Sequence, residues 1–135
     1  MIRSAPRLGR EATPHWKAAR EGRLVLPYCT ACDRYEWPPR ASCAYCGGVS
    51  AWRECAGTGT VATYSIVHRA VTPEWKSEVP YVVAMIELDE GVRLLSNIVD
   101  CTLDALCCGL RVRCRFVETT DPELGLVLFV PDAEA

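Results

Sequence analysis

The chain has 135 residues, of which 50% are hydrophobic and 24% are charged, and its formal net charge at pH 7 is −2. A domain that grips nucleic acid through its phosphates is normally strongly basic, so this balance speaks against a dedicated nucleic-acid binder. The sequence contains neither a run of about eighteen apolar residues nor the apolar segment of a signal peptide, so we expect a soluble, cytoplasmic protein.

Charges and cysteines are unevenly distributed along the chain. Residues 1–46 carry eight Lys/Arg and four Asp/Glu, whereas residues 47–135 carry seven and thirteen. The basic N-terminal third fits an acidic protein surface, the phosphates of a nucleotide-like ligand, or ordinary solvated charge. Five of the nine cysteines lie outside the motif described below, at spacings that form no disulfide framework, which indicates a reducing compartment. These five are Cys55, Cys101, Cys107, Cys108 and Cys114.

The N-terminal region is predicted to contain a flexible arm followed by one short helix. Residues 1–12 form the arm, and Thr13 can cap the helix with Pro14 at its first position. Gly22 lies just beyond the end of the helical pattern. Trp16, on one face of this helix, either docks a partner protein or pins the helix to the rest of the fold.

Two CxxC pairs, CTAC and CAYC, are separated by ten residues and carry the clearest chemistry in the chain. Zinc takes four thiolates in a tetrahedron, and a two-residue gap lets both sulfurs of a pair face one ion. Because the protein would supply all four ligands, the site is typical of structural zinc. The short spacing favours a rubredoxin-like ribbon, and a redox role is disfavoured because a thioredoxin-type motif would occur once. The predicted ligands are Cys29, Cys32, Cys43 and Cys46.

From Trp52 onward, short β-branched runs alternate with turn residues, as in a small all-β barrel. Five strands is the number of an OB-fold, and residues 89–91 (Asp-Glu-Gly) predict a hairpin between the second and third strands. A short helical turn, capped by Asp100 or Thr102, is predicted between strands three and four. The five runs span 59–68, 80–88, 92–99, 110–117 and 126–130.

The predicted fold is therefore mainly β: a short N-terminal helix, a rubredoxin-like zinc ribbon and a five-stranded OB-fold barrel. The expected divisions are a flexible arm over 1–12, helix plus ribbon over 13–50, OB-fold over 51–131 and a tail over 132–135.

In the fourth run, apolar and basic residues alternate strictly. Val112, Cys114 and Phe116 fall on one face of the predicted strand, and three arginines fall on the other. The arginines stand about 7 Å apart, which suits successive phosphates or an acidic partner. A solvated sheet face is the favoured interpretation, because that pattern is common in antiparallel sheets.

The residues do not assemble into a recognisable catalytic site. His68 and Arg69 end the first barrel strand at a rim, but one histidine alone is weak evidence for catalysis. The sequence has no GxSxG, HExxH, P-loop or GxGxxG motif, and no cysteine outside the metal set can be assigned a histidine partner. We therefore predict no catalytic residue in this chain.

The order of these features resembles one family, over residues 13–131. The segments that carry the resemblance are HWKAAREGRL, LPYCTACDRYEWPPRASCAYCGG, GTGTVATYSIVHRA, PYVVAMIELDEGVRLLSNIVD and VLFVPD. They are similar to acyl-CoA-associated proteins in which an N-terminal helix and a rubredoxin-like zinc ribbon precede a C-terminal OB-fold, formerly called a domain of unknown function.

The resemblance implies an accessory subunit of a thiolase-fold enzyme that acts on CoA thioesters in Claisen, retro-Claisen, aldol or acyl-transfer chemistry. The catalytic residues would belong to the partner, zinc would be structural, and the complex would hold the CoA thioester. Basic residues at the rim and on the fourth strand are candidate contacts to CoA or to the partner. They are Arg40, His68, Arg69, Arg111, Arg113 and Arg115.

Two other functional classes are weighed against this one. An OB-fold with a zinc ribbon can bind single-stranded nucleic acid, but such binding needs aromatic platforms beside basic residues. Here the barrel half is acidic, and its aromatic residues mostly sit among apolar ones: Tyr64, Tyr81, Phe116 and Phe129. A stand-alone acyl-CoA enzyme would need a nucleophile and a base that the sequence does not reveal.

Overall fold

The computed structural model describes residues 2–7 and 9–133. Its elements in chain order are β1 (Ile2–Arg3), α1 (Thr13–Arg20), β2 (Val25–Cys29), β3 (Arg34–Tyr35), β4 (Ala51–Glu54), β5 (Thr58–Val67), β6 (Tyr81–Leu88), β7 (Arg93–Ile98), β8 (Arg111–Thr119) and β9 (Gly125–Pro131). Short 3₁₀ turns cover Arg10–Ala12, Pro73–Trp75 and Leu103–Ala105.

Strands β5 to β9 form a closed barrel. Neighbouring strands follow the order β8-β5-β6-β7-β9, and β9 pairs back onto β8. The β7–β9 pairing is parallel, at Ile98 and Phe129, whereas the others in the ring are antiparallel. Five strands closed in this way make the OB-fold barrel that the sequence predicted, so the fold class is confirmed.

Alternation along each strand fills the barrel interior. In β6, Val82, Ala84, Ile86 and Leu88 are buried, and the residues between them face outward. In β8, Val112 is fully buried, and Cys114 and Phe116 pack against the same core. The alternation of apolar and basic residues in the sequence predicted this face. The pairing of β5 shifts by one residue between Val61 and Thr63. Beyond this bulge the even-numbered residues Tyr64 and Ile66 point inward and pack against the core.

The ribbon has its own three-stranded antiparallel sheet, in which β2 lies between β3 and β4. Tyr28 of β2 is opposite Tyr35 of β3, and their rings contact edge to face at 5.0 Å. Strand β4 pairs with β2 although it follows the boundary predicted between residues 50 and 51. The domain bounds themselves stay a prediction.

Helix α1 begins differently from the sequence prediction, and the capping role predicted for Thr13 is wrong. The 3₁₀ turn over Arg10–Ala12 runs directly into the helix, so Ala12 occupies the cap position. Thr13 has φ −54° and ψ −45°, which is helical backbone, whereas a capping residue needs extended backbone to reach the free N–H groups. The predicted end is correct: Gly22 has φ +79°, and its N–H donates to the carbonyl of Ala19.

Helix α1 joins the ribbon to the barrel. The Nδ1 of buried His15 donates to the carbonyl of Val25 in β2 at 2.9 Å. On the barrel side, the helix backbone lies against Gly125 of β9, where an added Cβ would approach the Arg20 nitrogen to 2.7 Å. A glycine is required there because any side chain would push the helix off the strand.

The N-terminal residues lie along the barrel edge. Strand β1 pairs in parallel with β8, with Ile2 opposite Glu118, and Arg3 forms an ion pair with Glu78 at 3.4 Å. Residues 1 and 8 of the predicted arm and residues 134–135 of the predicted tail lie outside the described residues, and flexibility of the arm stays a prediction. Within the described part of the chain, no helix is long and apolar enough to cross a membrane.

Candidate functional site

Two tight turns place the four motif cysteines. The first turn follows β2, which ends at Cys29, and the backbone N–H of Cys32 donates to the Cys29 sulfur at 3.4 Å. In the second turn, the N–H of Tyr45 donates to the Cys43 sulfur, also at 3.4 Å. Donors aimed at sulfur stabilise the thiolate, which is the form that binds a metal.

The four sulfurs converge on one point. All lie within 4.8 Å of one another. The Cys29 and Cys46 sulfurs are 3.6 Å apart, and the Cys32 and Cys43 sulfurs are 3.9 Å apart. Zinc–sulfur bonds of about 2.3 Å in a tetrahedron put the sulfurs about 3.8 Å apart. The donor set therefore fits one tetrahedral zinc ion.

The pKa values of the thiols reflect how close the sulfurs lie to one another and to backbone N–H groups. The backbone N–H of Cys32 lowers the pKa of Cys29 to about 7. Interaction with the Cys46 thiol instead raises the pKa of Cys32 to about 12. Thiolates this close repel one another, so a bound divalent cation is needed to hold all four deprotonated.

The residues that follow each CxxC pair shape these turns. Asp33 follows the first pair with φ 54°, and Gly47 follows the second with φ 74°. Left-handed backbone at these two positions reverses the chain after each pair. Gly48 lies close to the site as well, because an added Cβ would lie 3.3 Å from the Cys46 sulfur.

Sequence reasoning missed one important residue of this site, Glu36. Its side chain is buried, and its carboxylate accepts hydrogen bonds from the Ala44 N–H at 2.8 Å and the Ser50 hydroxyl at 3.2 Å. The Ala44 N–H is the main reason that the pKa of Glu36 is lowered. Since Ala44 lies between two ligands, Glu36 fixes the second cysteine turn. The sequence did offer one signal for its burial, an acidic residue between two aromatic residues, Tyr35 and Trp37.

Arg40 lies on a polar cleft between the ribbon and the turn that joins β6 to β7. The cleft has a volume of about 270 Å³, and its walls include Tyr45, Gly91 and Arg93. Arg93 is paired with Glu87 at 3.0 Å. Tyr45 is 68% exposed, and the Arg34 guanidinium lies 4.0 Å from the centre of its ring. Two arginines, Arg40 and Arg93, thus line the cleft together with the carboxylate of Glu36.

The three arginines of β8 do not act as a free basic row. Arg111 binds the carboxylate of Asp89 through two hydrogen bonds, at 2.7 and 3.0 Å, and these lower the pKa of Asp89 to about 2. Arg115 donates one hydrogen bond, from its Nη1, to the carboxylate of Asp100. Arg113, between them, is exposed. Two of the three candidate contacts are thus already paired with carboxylates of the chain itself.

The remaining candidates lie apart from the cysteine cluster. His68 and Arg69 are exposed in the turn after β5. Trp16 is half-buried, with its ring centre 4.5 Å from that of His15, and its indole nitrogen is buried without a hydrogen-bond partner. Among the described residues, neither histidine hydrogen-bonds a thiol or hydroxyl group. The docking role of Trp16 stays a prediction.

Comparison with known proteins explains the combination of ribbon and barrel. The ChsH2 rubredoxin-like zinc ribbon domain matches residues 16–52, and the ChsH2 C-terminal OB-fold domain matches residues 52–117. The chain belongs to the DUF35 (ChsH2) family. The resemblance expected from the sequence is confirmed, as is a zinc-ribbon domain with four cysteines positioned for metal binding.

Three relatives show how this unit is used elsewhere. The "probable enoyl-CoA hydratase alpha subunit" of Thermomonospora curvata is 39% identical over 132 residues, which are 96% of this chain but 40% of that protein. A "DUF35 domain-containing scaffold protein" of Methanocaldococcus jannaschii is 37% identical over 95 residues, 69% of this chain and 67% of that protein. The solved structure of an "Ltp2-ChsH2(DUF35) aldolase" matches with a TM-score of 0.82 and 38% identity, over 93% of this chain and 98% of that one.

Proposed function

We propose that this chain is a non-catalytic, zinc-binding OB-fold subunit that complexes with a thiolase-fold enzyme and helps bind its CoA thioester. The partner would break or form a carbon–carbon bond, in chemistry of thiolase, aldolase or acyltransferase type. The observation that carries the proposal is the likeness to the chain of the Ltp2-ChsH2(DUF35) aldolase, 98% of which is matched at 38% identity. The likeness to a relative named as a probable enoyl-CoA hydratase alpha subunit supports a CoA thioester as the ligand.

The role assigned to zinc is structural. Cys29, Cys32, Cys43 and Cys46 would fill a tetrahedral shell and leave no position for water or substrate. When bound, the ion supplies positive charge that holds the four thiolates together and links the two turns. Glu36 then keeps the second turn in place through the Ala44 N–H.

The candidate for CoA binding is Arg40 in the cleft between ribbon and barrel. CoA carries several phosphate charges, and guanidinium groups bind phosphate through paired hydrogen bonds. Arg111 and Arg115 would first have to leave their carboxylate partners, whereas Arg40 lines the cleft beside Arg93 and Glu36. We assign His68, Arg69 and Arg113, which are exposed, to the surface available to the partner or to CoA.

The state of three thiols outside the metal cluster supports placing the catalytic groups in the partner. Burial raises the pKa of Cys55 to about 12, and it raises the pKa values of Cys101 and Cys114 as well. A thiol held neutral is a poor nucleophile. The Nδ1 of His15 donates a hydrogen bond to the carbonyl of Val25, so this side chain has a structural role. The five cysteines outside the metal cluster are not paired in disulfides, which suits the reducing conditions of a cytoplasmic complex.

The test is recovery of the partner followed by kinetics of the complex. Tagged chain is purified from its native cells in mild salt, and the bound proteins are identified by mass spectrometry while absorbance detects nucleic acid. We expect a thiolase-fold enzyme in fixed ratio to the chain. In the reconstituted complex, Arg40→Ala should raise KM for the CoA thioester with little change in kcat. Lys17→Ala, which removes an exposed charge from α1, is the matched control.

Two results would contradict the proposal. One is recovery of no acyl-CoA enzyme together with bound nucleic acid, which would favour the single-strand-binding alternative. The other is an active acyl-CoA enzyme whose KM and stability do not depend on this chain.

A further inference from the structure

The four cysteines of the metal cluster differ in how far solvent reaches them. Cys29 and Cys43 are buried, Cys32 is half-buried, and Cys46 is exposed. Buried structural cysteines are chemically inert, whereas an exposed thiolate reacts with disulfides and oxidants in solution. Cys46 is therefore the position at which a dissolved reagent first reaches this cluster.

A second sulfur lies close to that of Cys46. The Cys29 sulfur is 3.6 Å away, although the two residues are 17 positions apart in the sequence. This separation is shorter than the 3.9 Å of the other close pair in the cluster. A disulfide holds its sulfurs about 2.05 Å apart, so one sulfur has to move by roughly 1.5 Å. The backbone that follows Cys46 allows such a movement, because Gly47 and Gly48 have no side chains.

The five cysteines outside the cluster cannot release the metal by the same reaction. Burial raises the pKa values of Cys55, Cys101 and Cys114, so these thiols exchange slowly with disulfides. Cys107 and Cys108 are exposed and can react, but within the described part of the chain they belong to no group of metal-ligating residues. A reaction at either of them leaves the four ligands in place.

The turn that carries Cys46 is also a wall of the cleft between ribbon and barrel. Ala44 and Tyr45, which lie between the two ligands of this turn, both line the cleft. The Ala44 N–H donates to the carboxylate of Glu36, another residue of the same wall. A displacement of the Cys46 sulfur therefore changes the shape of the cleft as well as the metal site.

We propose that Cys46 is the site at which a low-molecular-weight disulfide reacts with the cluster, and that Cys29 completes the reaction. The Cys46 thiolate attacks one sulfur of the small disulfide, forms a mixed disulfide and displaces one thiolate. The Cys29 thiolate then attacks the Cys46 sulfur of the mixed disulfide, and the second thiolate leaves. Two cysteine thiolates are thereby oxidised to one Cys29–Cys46 disulfide, while the small disulfide is reduced to two thiolates.

This oxidation removes two of the four metal ligands. Cys32 and Cys43 alone cannot complete a tetrahedral shell, so the chain loses its zinc and the second turn loses its anchor. A dithiol reductant reverses the exchange and restores the four thiolates. The reaction is stoichiometric and joins the two CxxC pairs, unlike the thioredoxin-type cycle within one pair that the sequence disfavours. The ribbon thus carries a redox-sensitive modification site.

The test treats the zinc-loaded, full-length chain with glutathione disulfide as the probe. A colorimetric chelator follows zinc release, and mass spectrometry of alkylated peptides identifies the modified cysteines at successive times. We expect glutathione on Cys46 before any other cysteine of the cluster, then a Cys29–Cys46 disulfide that forms together with the loss of zinc. Hydrogen exchange over residues 43–48 should increase on oxidation, because the turn that fixes the Ala44 N–H is released.

Two matched variants separate the position of Cys46 from the composition of the ligand set. Cys46→His and Cys32→His both leave three cysteines and one histidine, a set that structural zinc sites also use. Cys46→His should release zinc at least about tenfold more slowly than wild type, because the exposed thiolate is absent. Cys32→His retains both reacting cysteines and should stay within about threefold of wild type. A Cys107→Ser/Cys108→Ser variant should release zinc at the wild-type rate.

Several results would overturn the proposal. It is wrong if glutathione first modifies another cysteine of the cluster, if the disulfide forms within one CxxC pair, or if zinc stays bound after Cys46 is modified. Equal protection by Cys46→His and Cys32→His would also contradict it, as would slower release from the Cys107→Ser/Cys108→Ser variant. If Cys46→His fails to bind zinc, the order of modification in the wild-type chain decides the question by itself.

Discussion

Replacing Cys46 with alanine isolates the contribution of the metal from that of packing. Cys46 is the exposed member of the four cysteines, so removing its sulfur costs little buried contact. Structural zinc sites contribute about 10–16 kcal/mol to folding, so one ligand of four accounts for roughly 3 kcal/mol. Since whole domains are stable by only about 5–15 kcal/mol, that loss should unfold the ribbon or leave it barely stable.

The assay measures zinc and unfolding together. We expect wild-type protein to hold one zinc per chain and Cys46→Ala to lose it to a mild chelator, with a lower denaturant midpoint for the ribbon. Cys107→Ala, which removes an exposed thiol outside the cluster, should change stability by less than about 0.5 kcal/mol. A Cys46→Ala protein that retains one zinc per chain and unfolds at the wild-type midpoint would refute the reasoning.

Three further substitutions test the contacts that support the site and the barrel. Gly125→Val should lower stability by about 1–3 kcal/mol or more, because its side chain would meet the Arg20 backbone of α1, and an unchanged thermal melt would contradict this. Glu36→Ala should weaken zinc binding about 10–100-fold in a chelator competition, and wild-type affinity would show that its hydrogen bonds do not support the ligands. Asp89→Asn should cost less than about 1 kcal/mol at pH 6, because its ion pair with Arg111 is partly exposed. The Asp89 pKa is lowered from 3.8 to about 2, so the stabilisation is present above pH 3.8 and is lost as the pH falls towards 2. A stability difference that persists unchanged at pH 2 would contradict the assignment.

The barrel could be predicted because its pattern is local. Each of the five predicted strands agrees with β5 to β9 within two residues at either end, since an alternating run determines both a strand and its buried face. Strand β1 was missed, because two residues carry no periodicity and pair with β8 at the far end of the chain. The predicted OB-fold domain included residues 51–54, which form β4. Their pairing with β2 of the ribbon depends on tertiary structure and leaves no local pattern in the sequence.

The candidate site likewise has one part that the sequence could predict and another that depends on the folded structure. Cysteine spacing sufficed for the metal cluster, because both sulfurs of each pair come from one turn. Alternation placed Arg111 and Arg115 on one face of β8, but it could not reveal their carboxylate partners, which barrel closure brings from the turns after β6 and β7. The role of Glu36 depends on a backbone N–H eight residues away, which no side-chain pattern encodes.

These pairings weigh against the single-stranded nucleic-acid alternative. OB-folds that bind single strands combine aromatic platforms with cations that track the phosphates. Here the outward side of β6 and β7 carries one cation, Arg93, which is paired with Glu87, and its aromatic residue, Tyr81, packs against Trp75 with the rings tilted by 38°. To gain the cations of these strands other than the exposed Arg113, a polyanion would have to displace carboxylates from Arg93, Arg111 and Arg115. Because phosphate neutralisation supplies most non-specific affinity, such binding would lack much of its driving force.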